Sequence, residues 1–461
     1  MFTTISKNLD NYRPVSNLSF LSKLVERVVV RQLCFHLESS GLYVPVQSAY
    51  RPNHSTETAL LKILNDLLLV ADRGDAAILA LLDQSAAFDT IDHEILLDRV
   101  NLRFGISDLA LSWLRSYLTN RSQSMSVAGT TSSPVSLMWG VPQGSVLGPT
   151  LFILYSSPIH EIPPRHLVSD HYYADDTQLY RAFSLSADGR EQHEAFLAMA
   201  GCIVETKRWM TANKLKLNEN KTEALIVYAS STRLKPMKIP LRVGEETVPL
   251  ASTARNLGVI LDSHLSLDDH VRSICKRAFF HLHRISRIRK YLTHSAVRQL
   301  VHAIVTSQLD YGNSLLAGLP EFRLDRLQRV QNAAARMITG SRKFDPITPH
   351  LVTLHWLPVR QRIEFKIAML TFRSLDGSAP RYLSDLINLY HPTRTLRSSN
   401  SLDLIVPKTR LKTYGDRSFE KMAPLVWNSL PQSVRRTKSL SEFRSALKTH
   451  LIRTAYSTNP S

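Results

Sequence analysis

The chain predicts an α+β first half followed by an all-helical second half. Three observations carry that prediction. Short apolar runs with the length of buried strands, Ala76–Leu82, Ala224–Tyr228 and Leu257–Leu261, alternate with helical spacing through the first half. Beyond Leu267 strand signals nearly vanish. Charge changes at the same place: residues 1–262 carry 25 Lys+Arg against 26 Asp+Glu, a net of −1, whereas residues 263–461 carry 32 against 13, a net of +19. The basic excess therefore belongs to the helical half, where it suits a polyanion whose phosphates release counterions on binding. The plainer alternative is a soluble basic domain with no partner. A chain of 461 residues is expected to hold two or three domains, and the change near residue 263 is the clearest boundary.

The elements can be taken in chain order. From Asn11 to Val70 the pattern is helical, with Leu18, Leu21, Leu24, Val25 and Val28 three and four apart. The turn-rich Arg51-Pro52-Asn53-His54-Ser55 sets off a second helix at Glu57–Val70. Ala76–Leu82 reads as a buried strand that delivers Asp83 to a sheet edge. Leu109–Leu118 is a helix, Ser124–Val127 and Pro134–Met138 form a hairpin pair, and the loop from Gly140 opens a helix at Leu147–Ser156. Tyr172–Thr177 lies between two strand-like pieces, and Ala195–Asn213 is a long helix.

In the second half Val271, Ile274, Ala278, Leu282, Ile285 and Leu292 keep helical spacing. Arg272, Lys276, Arg277, Arg284, Arg287, Arg289 and Lys290 share that segment, so a basic amphipathic helix is expected, its plain reading being a solvated charged face. Leu324–Ile338 and Val359–Leu375 are helical, a Pro- and Ser-containing stretch covers Pro392–Thr413, and Ser439-Leu440-Ser441-Glu442 caps a last helix through Leu451. Cys34, Cys202 and Cys275 lie far apart, giving neither a disulfide framework nor a zinc knuckle and fitting a reducing compartment. No apolar run approaches the roughly 20 residues of a membrane helix, and no secretory signal is expected from the first residues.

The residues that carry chemistry are carboxylates at strand ends. Phosphoryl transfer to a primer hydroxyl asks little covalent work of a protein and much electrostatic work, supplied by two divalent ions about 3.5–4 Å apart. Magnesium takes hard oxygen ligands and keeps several waters, so two or three carboxylates with substrate phosphates suffice. Asp175-Asp176 in a tight turn would present such a pair, and Asp83 would bring a third from a neighbouring strand. An Asp-Asp pair alone is weak, since Asp268-Asp269 reads simply as the acidic start of a helix. The ordered set is stronger: Leu82-Asp83-Gln84-Ser85-Ala86-Ala87-Phe88-Asp89, then Gly140-Val141-Pro142-Gln143-Gly144-Ser145, then Tyr173-Ala174-Asp175-Asp176.

These segments resemble motifs A, B and C of reverse transcriptases. Asn11-Tyr12-Arg13-Pro14-Val15-Ser16, Ser48-Ala49-Tyr50-Arg51-Pro52, Trp209–Asn218, Lys221-Thr222-Glu223, Asn256-Leu257-Gly258-Val259 and the region around Trp427 extend the likeness to non-LTR retrotransposons of the jockey-like group. The resemblance implies a right-hand polymerase: fingers and palm over residues 1–262, a helical thumb over 263–345 and a basic C-terminal helical region over 346–461. It implies an RNA-directed DNA polymerase acting on an RNA template, a DNA primer and deoxynucleoside triphosphates, with two Mg²⁺, or Mn²⁺ in their place. A non-membrane, intracellular location in cytoplasm or nucleus follows from it.

Residue by residue, Asp83, Asp175 and Asp176 correspond to the metal ligands. Phe88 falls where the family places a ring under the incoming sugar, favouring deoxynucleotides and disfavouring an RNA-copying polymerase. Gln143 and Gly144 correspond to the nucleotide pocket, Arg13 and Lys23 to the grip on the triphosphate, Arg51 to the template contact, Lys221 to a proton or charge donor for departing pyrophosphate, and 256–261 to the primer grip. Plainer readings stand beside these: Phe88 as a core aromatic, Lys221 as a surface lysine, Arg13 as a cap or ion-pair partner, Asp89 and Asp92 as turn and helix-start residues. Gln84 replaces the apolar residue common after the motif A aspartate. No endonuclease domain and little of the family's entry segment is expected ahead of Asn11. A competing expectation is therefore a truncated, inactive remnant that at most binds RNA.

Overall fold

The computed structural model describes residues 16–85, 88–127, 129–390 and 402–456. Two long helices come first, α1 (Phe20–Ser39) and α2 (Thr56–Arg73). The second is delimited by its own sequence: Ser55 and Thr58 make a reciprocal capping box, and Gly74 closes the helix in the left-handed region at φ 91. Strands β1 (Ala76–Leu82), β2 (Ser169–Tyr173), β3 (Asp176–Phe183) and β4 (Glu223–Tyr228) form one antiparallel sheet in the order β4-β1-β3-β2.

β1 is buried along its whole length, which explains an apolar run without alternation. Its two faces serve two cores. Ala77, Leu79 and Leu81 join Tyr180, Leu225 and Val227 on one face, and Ala76, Ile78, Ala80 and Leu82 join Leu179, Ala224 and Ile226 on the other. The second core is completed by α3 (His93–Phe104), α4 (Asp108–Leu118), α5 (Gly148–Ser156) and α6 (Arg190–Ala212). The first runs from α2 through the sheet into the C-terminal half as far as Leu451.

The strand-bearing part ends in a hairpin of β5 (Thr253–Asn256) and β6 (Val259–Asp262). Its two turn residues, Leu257 and Gly258, both have positive φ, 43 and 84, as the turn that matches strand twist demands. Helices α7 (Asp268–Ile288), α8 (Glu321–Thr339), α9 (Val359–Leu375), α10 (Phe419–Ser429) and α11 (Leu440–Tyr456) dominate the C-terminal half. Asp268 and Asp269 open α7, as expected, and Val271, Ile274, Ala278, Leu282 and Ile285 are its buried stripe. Among the described residues no helix is long and apolar enough to cross a membrane.

Three local expectations need correction. The hairpin expected between Ser124–Val127 and Pro134–Met138 is two nested pairs, Arg121–Gln123 with Val135–Leu137 and Ser126–Val127 with Thr130–Thr131. The strand expected at Leu257–Leu261 starts later, because the turn consumes Leu257 and Gly258. The helix expected from Leu21, Leu24, Val25 and Val28 exists, yet these side chains are 71, 48, 50 and 55% exposed, while Glu26, Leu33 and Leu37 are buried. Periodicity located the helix and chose the wrong face.

Candidate active site

The sheet register assembles the central carboxylates. Leu82 at the end of β1 pairs with Thr177 of β3, so Asp83 and Asp176 lie across from each other where the ladder stops. Neighbouring strands bring facing Cα atoms to about 4.5–5.5 Å. Tyr173 pairs with Asp176, leaving Ala174 and Asp175 as a two-residue turn between β2 and β3. Ala174 takes φ 57, a conformation costing a non-glycine residue about 1–2 kcal/mol, and its N–H donates to Gln47 Oε1 at 3.1 Å. Burial pushes the Asp176 carboxyl up to about 6, with the negative charges of Asp175 and Asp83 adding to the rise and Lys221 opposing it. A cation would relieve that repulsion.

The segment after α6 pins Asp83. Asn218 donates its N–H to the Asp83 carbonyl at 2.8 Å and its side-chain amide to Oδ2 at 3.5 Å, while Lys221 Nζ lies 3.0 Å from Oδ2. The short pairing of Gln84–Ser85 with Lys216–Leu217 brings the two segments together. Gln84 is buried there.

The loop Gly140–Leu147 is held by the Phe88–Ile91 turn that follows Asp83 in the chain. Val141 donates its N–H to the Phe88 carbonyl at 2.9 Å, Gly140 donates to Ile91 at 2.8 Å, and Gln143 donates its side-chain amide to Asp89 Oδ2 at 2.8 Å. Gly140 has φ 83, and a Cβ there would meet the Asp89 carbonyl oxygen at 2.9 Å, so glycine is required twice over. Phe88 is half-buried and stacks on Phe152 with ring centroids 5.0 Å apart. Asp92 caps α3, accepting from Glu94 and Ile95, and Asp89 belongs to the turn that holds Gln143.

The basic candidates fare differently. Arg51 directs Nη1 at the carbonyls of Val44 (2.9 Å) and Gln47 (3.1 Å) and its guanidinium covers the Tyr43 ring at 4.4 Å, while Nη2 lies 3.9 Å from the Glu38 carboxylate and buried Nε meets no acceptor among the described residues. Lys23 is half-buried in the first turn of α1, on the segment whose Ser16 N–H donates to the Gln143 carbonyl at 2.8 Å. Lys221 is exposed, close to Asp83. Arg13 lies outside the described residues. In the β5–β6 hairpin the Leu257 carbonyl accepts the Tyr311 hydroxyl at 2.6 Å, tying the turn to the helical half.

A family model described as reverse transcriptase (RNA-dependent DNA polymerase) matches residues 5–261, more than half of the chain. The chain belongs to the reverse transcriptase family. The right-hand class expected of that family agrees with the antiparallel sheet flanked by helices and followed by a helical half. Among curated relatives of this reverse transcriptase, the probable RNA-directed DNA polymerase from transposon BS of Drosophila melanogaster is 27% identical over 84% of this chain and 42% of its own length. That from transposon X-element of the same organism is 26% identical over 87% of this chain and 44% of its own. The chain thus spans under half the length of the curated relatives it matches. Among solved structures, telomerase from Candida albicans in complex with the TWJ fragment of telomeric RNA aligns with 75% of this chain and 56% of its own, at 12% identity and a TM-score of 0.36.

Sequence reasoning missed four positions in this reverse transcriptase site. Glu26 reaches the loop before α5, Gln47 holds the Asp175 turn, Tyr50 lies near enough to Asp175 for that charge to raise its pKa after burial has done so, and Asn218 fixes Asp83. Glu26 left a signal, a lone acid within the apolar Leu24-Val25-Glu26-Arg27-Val28-Val29-Val30. Tyr50 and Asn218 lie within segments that carry the family likeness but were given no role, and Gln47 left no signal, since its partner is remote in sequence.

Proposed function

We propose that this chain is the RNA-directed DNA polymerase portion of a non-LTR retrotransposon protein, adding deoxynucleotides to a primer 3′-hydroxyl along an RNA template. The observation that carries the reading is the sheet register, which ends β1 and β3 at Asp83 and Asp176 with Asp175 in the adjoining turn. Parts follow the family: fingers and palm to residue 262, thumb to 345, then a C-terminal region of helices.

Among the described residues no three His, Cys, Asp or Glu side chains converge into a ready metal cage. The donor set nevertheless fits Mg²⁺, which takes one or two carboxylates and completes its shell with water and phosphate. Asp83, Asp175 and Asp176 would hold the ions, which when bound supply charge neutralisation for the triphosphate and activation of the primer hydroxyl. The chain's own residues do the rest. Asn218 and Lys221 orient the Asp83 carboxylate, and Lys221 would offer a proton or charge to the leaving pyrophosphate. The Phe88 ring, braced by Phe152, would stand under the incoming sugar and exclude a 2′-hydroxyl. Gly144, exposed and at φ 97, lets backbone approach the nucleotide, and Gln143 beside it is oriented by Asp89. Lys23, with Arg13, is proposed to meet the triphosphate. Arg51 is proposed at the template through the loop it stiffens.

Primer extension by the purified chain on an RNA template, with Mg²⁺ and deoxynucleotides, tests this. Extension that is lost in the Asp83→Asn protein supports it. A wild-type protein that binds RNA and never extends a primer overturns it in favour of an inactive remnant.

A further inference from the structure

Glu26 is 1% exposed in a helix whose neighbouring Val25 and Val28 are half exposed. Across Phe20–Val28 it is the buried residue of α1, an inversion of what hydrophobicity would choose. A carboxylate at such depth is costly unless its oxygens are taken up. They are, Oε2 by partners remote in sequence and Oε1 by a neighbour one turn away. Oε2 accepts the backbone N–H of Val146 at 2.6 Å and of Leu147 at 3.0 Å, and Oε1 accepts the Ser22 hydroxyl at 3.1 Å. Leu147 is the N-cap of α5, so the helix has no carbonyl of its own for these amides. A negative charge also suits the positive end of that helix.

The same segment makes a second hold, where the Ser16 N–H meets the Gln143 carbonyl. From the opposite side the Phe88–Ile91 turn takes the N–H groups of Val141 and Gly140 and the Gln143 side chain. The loop is therefore clamped between the palm turn and the chain entering α1.

We infer that Glu26 is a positioning residue for nucleotide binding, its carboxylate holding the Val146–Leu147 end of the Gln143–Gly144 loop. The inference rests on the reading of that loop as part of the nucleotide pocket. Glu26 touches no substrate in this scheme. It acts by making the α1 segment and the loop one rigid unit. A merely structural carboxylate, needed only to seat α1, would lower stability and every kinetic parameter together.

Two substitutions in the full chain separate these roles. Glu26→Ala orphans both amides, whereas Glu26→Gln keeps one oxygen for both and gives up the negative charge that strengthens the two bonds. Extension of oligo(dT) on poly(rA) is expected to show a KM for dTTP raised at least about tenfold in E26A and about threefold in E26Q, with affinity for the template–primer unchanged. Hydrogen exchange on the protein alone is the second reading. Exchange at the Val146 and Leu147 amides should rise in both variants while β1 amides stay protected. An unchanged KM in a folded E26A protein overturns the inference, and so does unchanged exchange at the two amides. If the wild type extends no primer, the polymerase reading fails on its own, and exchange still decides whether Glu26 holds the loop.

Discussion

At the scale of single residues, the three aspartates form a repulsive cluster whose cost is visible in Asp176, raised to about 6 by burial and by the charges of Asp175 and Asp83. Asp83→Asn or Asp176→Asn is therefore expected to abolish Mg²⁺-dependent extension while leaving thermal stability equal or slightly higher, since each removes a like charge. Calorimetry beside the extension assay checks both halves, and full activity in either variant would remove these aspartates from the mechanism. Phe88 admits a sharper separation. Stacked on Phe152 but only half-buried, it should cost roughly 1–2 kcal/mol as Phe88→Val. If it also guards the sugar, that variant incorporates ribonucleotides more readily relative to deoxynucleotides, and unchanged sugar preference returns Phe88 to the core. A histidine supplies the pH dependence. His171 is fully buried, and desolvation lowers its pKa to about 3, with the charges of Lys62 and His54 acting the same way. The unfolded chain takes up that proton below about 6.5 and the folded chain does not until about 3. Stability is thus complete above 6.5 and falls as pH drops through that window, by up to about 1.4 kcal/mol per pH unit. Urea unfolding at pH 7 and pH 5 should show a shallower dependence in His171→Gln.

At the scale of elements, what was legible in the sequence is what depends on local periodicity. The apolar run of β1, the stripe of α7 and the acidic opening of α7 at Asp268-Asp269 were all readable, because each is fixed by burial or helix polarity within one segment. Motif order located the carboxylates, since a strand end and a tight turn are local too. What escaped depends on contacts across the chain: the exposed apolar face of α1, the nested register of the Arg121–Leu137 hairpin, and Asn218 and Gln47 at the carboxylates. Helix α7 then makes a claim of its own. With its apolar stripe buried, Lys276, Arg277, Arg284 and Arg287 lie on its exposed side and Lys290 is exposed in the turn just after it, whereas Arg272 pairs with Asp268 and Asp269 and Arg289, in the same turn, donates to the Met337 carbonyl at 3.2 Å. Neutralising Arg284, Arg287 and Lys290 together should flatten the log–log salt dependence of binding to an RNA–DNA hybrid by about two to three units if all three meet phosphates. Binding measured at several salt concentrations decides it, and an unaltered slope leaves that face merely solvated.

At the scale of the whole molecule, secondary structure changes at residue 263 but the core does not. Leu60, Leu64 and Leu67 of α2 share one apolar cluster with Leu79 and Leu225 of the sheet and with Trp427, Phe443 and Leu447 near the C-terminus. Polar contacts cross the same seam. Asp72, buried at the end of α2, accepts the N–H groups of Arg410 at 3.0 Å and Leu411 at 2.6 Å, and the Tyr382 hydroxyl shares hydrogen bonds with Ser48 at 2.8 Å and Thr58 at 3.0 Å. Ser48 continues to His171 on β2 at 2.9 Å, so the C-terminal half is wired to the strand that precedes the Asp175 turn. A fragment that stops at residue 262 would expose the α2 side of this cluster and leave the Asp72 carboxylate without its amides, and aggregation rather than a free palm is expected of it. Gly415 tests the seam without truncation. A Cβ there would stand 2.4 Å from Asp72 Oδ1, and that carboxylate cannot yield easily because backbone amides grip it. Gly415→Ala should therefore cost on the order of 1–3 kcal/mol. The loss should register equally in probes of both halves, because a shared core unfolds as one. Urea unfolding followed by tryptophan fluorescence and by far-ultraviolet dichroism provides the comparison. Coincident transitions shifted together by the substitution are expected. A C-terminal transition that moves alone, with the sheet unaffected, would mean that the halves are separable and that the helical half could be studied as a fragment after all.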